Sequence, residues 1–272
     1  MLLRYSDEVS PLKRGARWEQ LRLKKLARDY DVFQLPAGRI NGPSLAHWRD
    51  NRLKEVSPST VNRELCLISA VFSKAMREWE VGISLNPVTV IEKPRKPRAR
   101  SQRVSDKDRI TLENQLGWDG ASKPVTLEQY AAAAFKFATL TAMRRGEILS
   151  LDWGEIYFEK QYAHLDLTKN GGERDVPLSK QALELLYLLE PGDQRERVFP
   201  IQPGTLDAIF RKARKGANLE NLRFHDSRRE ATTKMAPHFN ILELSAITGH
   251  KDIQMLKVYY NPDPTELAAR LL

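Results

Sequence analysis

The sequence predicts a mainly α protein with one small antiparallel β-sheet, an α+β fold, divided into two domains. Three observations lead there. Apolar residues recur at helical spacing over most of the chain; in residues 59–79, Val61, Leu65, Ile68, Val71, Phe72, Ala75 and Met76 fall on one stripe. Strand-like runs are confined to residues 156–178, around Asn170-Gly171-Gly172, where residues that tolerate positive φ let the chain reverse as a hairpin. Finally, Glu92-Lys-Pro-Arg-Lys-Pro-Arg-Ala-Arg-Ser-Gln-Arg103 holds two prolines, six basic residues and no apolar periodicity, the composition of an extended connector. The expected divisions are a helical domain at 1–92, a basic linker at 93–103 and a second domain at 104–272.

Taken in order, helices are expected at 16–29, 44–53 and 59–79, the last opened by Ser57-Pro58 as a start signal. Cys66 reads as part of the apolar face of that third helix, and as the single cysteine it has no internal disulfide partner. Beyond the linker, 127–149 reads as a helix-rich stretch, followed by short strands at 156–158, 163–168 and 174–178. Helices resume at 179–189, 204–215, 225–235 and 241–248. No internal repeat or low-complexity segment interrupts this order.

No stretch has the roughly 18 uncharged apolar residues of a membrane span, since the apolar run from Ala131 to Ala142 is short and contains Lys136. The first residues lack the basic and apolar regions of a secretory signal, so a cytoplasmic protein is expected. The formal net charge is +9, but residues 1–103 carry +10 and the remainder −1. Such a basic half suits a polyanionic partner, nucleic acid above all, and equally suits a solvated surface kept for solubility. Arg63, Lys74 and Arg77 lie outside the apolar stripe of 59–79, and Arg95, Lys96, Arg98 and Arg100 sit on the connector. These seven are the candidate DNA-backbone contacts.

Residues suited to phosphate chemistry cluster in the second domain. They are Thr141-Ala-Met-Arg144-Arg-Gly-Glu147; Thr168-Lys169-Asn-Gly-Gly-Glu-Arg174-Asp-Val-Pro-Leu178; His225-Asp-Ser-Arg228; Thr248-Gly-His250; and Tyr259. Alone, each has an ordinary reading: a surface arginine, an exposed turn lysine, a helix-end histidine, a core tyrosine. Together, in this order and spacing, they resemble the tyrosine recombinases of the phage integrase family. That family's pattern is an arginine in T-G-x-R-x-x-E, a lysine on a β-hairpin, H-x-x-R, G-H, and a tyrosine nine residues after that histidine. The resemblance covers residues from about 104 to the end and, more loosely, the helical part. Ala142 stands where the family usually has glycine, Ser227 where an apolar residue is common, and Val258 where arginine is frequent.

The resemblance implies a site-specific recombinase that cleaves and rejoins duplex DNA through a 3′-phosphotyrosyl intermediate. Arg144 and Arg228 would grip the scissile phosphate, for which a planar, permanently charged guanidinium is suited. Glu147 would orient Arg144, three residues away on a shared helix face. Lys169 would protonate the leaving 5′ oxygen, His225 would face the same anion, and His250 would donate to a phosphate oxygen or handle the tyrosine proton. Tyr259 would be the nucleophile. No metal or cofactor is expected, and neither a zinc-spaced Cys/His set nor a local acidic cluster is seen. The partners implied are duplex DNA with specific core sites, held by a helical core-site-binding domain and a catalytic domain; a tetramer on that DNA; and accessory DNA-bending proteins. Two other readings of these residues are a DNA-binding remnant without turnover and a type IB topoisomerase-like enzyme.

Overall fold

The computed structural model describes residues 1–79, 81–95, 97, 102–166, 172–259 and 268. The chain divides into two compact units, Met1–Arg100 and Ser101–Leu272.

The first unit is built from helices α1 (Leu2–Glu8), α2 (Ala16–Asp29), α3 (Gly42–Glu55) and α4 (Pro58–Glu78). Local chemistry sets their starts. Asn41 and Ser44 cap α3 reciprocally, and the Ser57 hydroxyl accepts from Thr60 N ahead of Pro58 at the first turn of α4. The apolar stripe of α4 joins Leu23, Leu26, Leu45 and Trp48 in one core. Within it lies Glu64, fully buried, whose carboxylate accepts from Arg52 Nε and Nη2 at 2.9 Å each and from Arg22 Nη1 at 2.8 Å. One anion thereby ties α2, α3 and α4 together. Cys66 departs from expectation: it is exposed. It sits one residue, about 100°, beyond Leu65, and the buried surface of α4 passes through Glu64, Leu65, Leu67 and Ile68 instead.

The second unit begins with α5 (Asp106–Gln115), followed by α6 (Leu127–Thr141) and α7 (Arg145–Ser150). A three-stranded antiparallel sheet follows, in the order β1 (Ile156–Tyr157), β2 (Tyr162–Leu165), β3 (Arg174–Pro177). Helices α8 (Lys180–Leu188), α9 (Pro203–Gly216), α10 (Asp226–Met235) and α11 (Ile241–Thr248) complete it. The expected hairpin pairing of the last two strands is present, with Tyr162 opposite Pro177 and Leu165 opposite Arg174, although its turn at 170–171 lies outside the described residues. Neither α1 nor α5 was expected; each is short, and α5 buries only Leu112 and Glu113.

Helix α6 is buried nearly all round, with Ala131 to Phe135, Phe137 and Ala138 at zero exposure, so it forms the axis of this unit. Phe135 contacts Phe210 of α9 and Phe224 ahead of α10 at ring distances of 5.1 and 5.5 Å. The segment leading into the unit is fastened to α10, because Arg103 donates twice to Glu230 at 2.6 and 3.0 Å and Val104 N donates to the same carboxylate. The stretch expected to be helical over 127–149 is broken. Ala142 adopts a left-handed conformation (φ 53°), ends α6, and turns the chain before α7. A glycine would adopt this backbone without steric cost, which accounts for the glycine usual in the family pattern.

Replacing Glu64 by alanine should leave Arg52 buried without its bidentate partner and lower stability by about 3 kcal/mol. Urea unfolding followed by circular dichroism measures it; a change under about 1 kcal/mol, the range of a surface pair, would show that the triad is not a tie.

Candidate active site

The break at Ala142 places Arg144 ahead of α7 rather than on it. Arg144 is the helix N-cap, in an extended conformation, and Glu147 occupies the third helical position. The pair therefore meets by capping geometry and not by a shared helix face. The Glu147 carboxylate accepts from the Arg144 backbone N at 2.7 Å and from its Nη1 at 2.8 Å. The other Arg144 nitrogen, Nη2, donates to the Gly249 carbonyl at 2.9 Å. The guanidinium is thus fixed at both ends, while the side chain stays one-fifth exposed.

Arg228, on the first turn of α10, is buried and donates to the carbonyls of Ala142 and Thr248 at 2.6 Å each. The left-handed turn that ends α6 aims the first of these carbonyls at it. Its Nη2 also lies 3.3 and 3.5 Å from the two His250 ring nitrogens, hence against the ring rather than on one lone pair. Burial and the nearby Arg144 pull the Arg228 guanidinium down to about 9, still charged at neutral pH. Ser227, which departs from the family pattern, is buried and donates its hydroxyl to the Phe224 carbonyl at 2.5 Å, so the packing accepts it.

His250 follows Gly249, which closes α11 in the left-handed conformation (φ 67°) and donates to the Ser245 carbonyl. The Ser245 hydroxyl donates to the His250 carbonyl at 2.6 Å, and Thr248 Oγ1 lies 2.6 Å from His250 Nδ1. Thr248 Oγ1 also donates to the Leu244 carbonyl, which uses its one proton; the contact to His250 then assigns the ring proton to Nδ1 and leaves Nε2 the acceptor. Burial, then the charges of Arg228, Arg144 and Arg174, push this imidazole down to about 4.

His225 is exposed at the N-cap of α10 and acts electrostatically on His250. The Tyr259 phenol acts likewise on Arg228, and the Arg229 guanidinium carbon lies 5.4 Å from the Tyr259 ring centroid. Tyr259 packs beside Ala236, Leu244 and Leu256. Arg144, Glu147, His225, Arg228, His250 and Tyr259 are therefore gathered in one neighbourhood. Lys169 lies outside the described residues, as do Lys96, Arg98 and Arg100. Arg63, Arg77 and Arg95 are exposed on the first unit, and Lys74 there pairs with Glu78. Among the described residues no group of three or more His, Cys, Asp or Glu is arranged to hold a metal, and no helix is long and apolar enough to cross a membrane.

Sequence reasoning missed Arg174. It appears inside the hairpin motif but reads there only as the first residue of a strand. In the structure its Nη1 and Nη2 donate to both Glu147 oxygens at 3.0 and 2.8 Å, and its Nε donates to the Ile247 carbonyl at 3.1 Å. No local signal marks it, since in sequence it is flanked by Glu173 and Asp175 and its partner Glu147 lies 27 residues away. Burial works to raise the Glu147 carboxyl, but the bonds from Arg174 and Arg144 outweigh it and hold the group down at about 2.

Burial, together with three cations in one place, makes protonation of His250 unfavourable. With a folded value near 4 against 6.5 for the free side chain, the unfolded chain takes up this proton first, so the site costs stability as pH falls from 6.5 towards 4. NMR titration of the His250 ring should give a midpoint far below 6.5, and Arg228→Met should move it upward; a wild-type midpoint near 6.5 would mean that the guanidinium does not press on the ring.

Comparison with known proteins identifies the family and the fold. The family model described as "Phage integrase family" matches residues 120–266. An inferred integrase/recombinase of Haemophilus influenzae is 41% identical over 97% of this chain and 72% of its own length. The shufflon-specific DNA recombinase of Escherichia coli is 32% identical over 98% of this chain and 70% of its own. In fold, the chain resembles lambda integrase, solved as a dimer bound to a COC′ core site (TM-score 0.72, 19% identity, 96% of this chain and 76% of that one). It also resembles the lambda integrase tetramer bound to a Holliday junction (TM-score 0.67, 19% identity, 92% and 76%). The chain belongs to the phage integrase family, the tyrosine-type site-specific DNA recombinases.

Proposed function

We propose that Arg144 and Arg228 hold the scissile phosphate of a specific DNA core site, that Tyr259 attacks it, and that His250 receives the phenol proton. The observation that carries this reading is the convergence of two guanidiniums, each anchored on backbone carbonyls, around one histidine and one phenol. Attack by the Tyr259 oxygen forms a bond to phosphorus as the bond to the 5′ oxygen breaks, leaving a 3′-phosphotyrosyl link and a free 5′-hydroxyl. The 5′-hydroxyl of the partner strand then reverses the step, and the phosphodiester is remade without an external energy source. Negative charge on phosphorus is greatest at the pentacoordinate stage, so cations fixed in advance stabilise that stage above the diester. His250 Nε2 is the acceptor for the phenol proton, Lys169 the donor to the leaving oxygen, and His225 adds a further donor at the rim.

The unit Met1–Arg100 is proposed as the core-site-binding domain, with residues 93–103 as a basic linker along the DNA backbone. Arg63, Lys74 and Arg77 would meet phosphates from α4, and Arg95, Lys96, Arg98 and Arg100 from the linker. The charge excess of residues 1–103 supports this division. Four protomers on two DNA partners, an accessory DNA-bending protein and a place in the cytoplasm at the nucleoid complete the proposal.

A randomised duplex pool with nicks, incubated with the protein in EDTA and stripped with detergent, should yield covalent adducts whose DNA defines the core site. Peptide mapping should place the DNA on Tyr259; Tyr259→Phe should abolish the adduct and Tyr260→Phe should retain it. Mapping to Tyr260, or adducts from Tyr259→Phe, would sink the assignment. On the same duplex, replacing Arg95, Lys96, Arg98 and Arg100 with alanine should reduce the slope of log affinity against log salt by about 3.6, or 0.9 per lost phosphate contact; an unchanged slope rejects the linker's role.

A further inference from the structure

Arg174 is absent from the roles assigned above, although its guanidinium makes three bonds to the site's framework. Its guanidinium binds Glu147 on α7 twice and the Ile247 carbonyl on α11 once, and the side chain is only 9% exposed. Glu147 holds Arg144, Arg144 holds the Gly249 carbonyl, and Gly249 lies two residues after Ile247. The bonds close into a ring through β3, α7 and α11. At Gly249 the fit is steric too, because a Cβ there would stand 2.9 Å from Arg174 Nη1 and 3.1 Å from its Cζ. Backbone and guanidinium are in direct contact, and no side chain fits between them.

Stability alone is a poor reason for this arrangement. Burying a third arginine beside Arg144 and Arg228 adds like charge, and buried ion pairs are often no more stabilising than apolar packing. What the ring does supply is direction. Arg144 and His250 belong to different elements, 106 residues apart in sequence, and each is set by a group that Arg174 touches: Arg144 by the Glu147 carboxylate, His250 by the backbone at 247–249. A lysine cannot replace it, because one ammonium on a flexible stem does not satisfy two carboxylate oxygens and a carbonyl in a fixed fork.

From this geometry we infer that Arg174 is a positioning residue: it fixes the Glu147 carboxylate and the 247–249 backbone together, and so sets where Arg144 meets the scissile phosphate and where His250 meets the attacking phenol. The inference rests on the phosphate-site reading above. It also predicts a specific failure. Without Arg174, burial is opposed by Arg144 and, beyond it, by the charge of Arg228 alone, so the Glu147 carboxyl takes up a proton at a higher pH than in the wild type. A protonated Glu147 no longer holds Arg144 as a charged partner.

The test is single-turnover cleavage of the duplex enriched by covalent capture, with affinity for that duplex measured alongside. Arg174→Lys and Arg174→Met should lower the cleavage rate by about 10–100-fold while affinity changes by less than about threefold. The Arg174→Met rate should fall further as pH drops from about 8 to about 5.5, whereas the wild-type rate should lack that acid limb. Adding Glu147→Gln to Arg174→Met should erase the limb and hold the rate at every pH near the value that Arg174→Met reaches at its acid end. A rate within about threefold of wild type, a loss equal at every pH, or a limb that survives Glu147→Gln would each overturn the inference. Should Arg174→Met not fold, Gly249→Ala presses on the same guanidinium with its charge intact and should show a similar rate loss; normal cleavage by that variant overturns the inference. Arg144→Ala serves as the control: wild-type-like cleavage by it would overturn the phosphate-site reading itself, and this inference with it.

Discussion

A single carboxylate, that of Glu147, sits between two arginines and gives the site in the second unit its arrangement. It caps α7 through the Arg144 backbone, orients the Arg144 side chain, and receives both terminal nitrogens of Arg174 from β3. Among the described residues one anion serves three neighbouring arginines, so positive charge exceeds negative there. Arg228 answers that imbalance with neutral acceptors, the carbonyls of Ala142 and Thr248. Those bonds hold the guanidinium without neutralising it. A buried cation held by dipoles is stabilised further by an anion that arrives from outside, and a phosphodiester provides one.

The two units use charge on different scales. The first carries the net excess, yet within its core the charge is balanced locally by Glu64 between Arg22 and Arg52. The second is nearly neutral as a whole but concentrates positive charge at one place, which together with burial keeps His250 neutral well below its ordinary range. A net-charge count sees the first pattern and misses the second, since the cationic centre is cancelled in the sum by acidic residues elsewhere on the surface.

Much of the fold was legible in the sequence because long amphipathic helices repeat their pattern over several turns. The stripe on α4 and the hairpin pairing of β2 with β3 are such cases. Short elements were not: α1 spans seven residues, too few for a period to stand out. Cys66 was misjudged because a residue one step from a stripe is resolved only by the exact rotation of the helix. Most of the site was legible through order and spacing, which a linear reading preserves. Arg174 was not, since its importance lies in meeting Glu147 from 27 positions away, and a strand arginine carries no mark of that. The break before Arg144 was equally hidden, because Thr141-Ala142-Met143 contains neither proline nor glycine to announce it.

That break also restricts evolution. Ala142 is fully buried and left-handed, with its carbonyl committed to Arg228. A β-branched or bulky residue is closed out twice, by the backbone conformation and by the lack of space, and a polar side chain would be buried there. The permitted alphabet is short, with glycine the residue that meets both conditions most easily. Alanine pays about 1–2 kcal/mol for its left-handed turn, offset in part by burying a methyl group and by a less flexible unfolded chain. The position is therefore a nearly level passage between two letters, and drift across it can leave the Arg228 acceptor where it is.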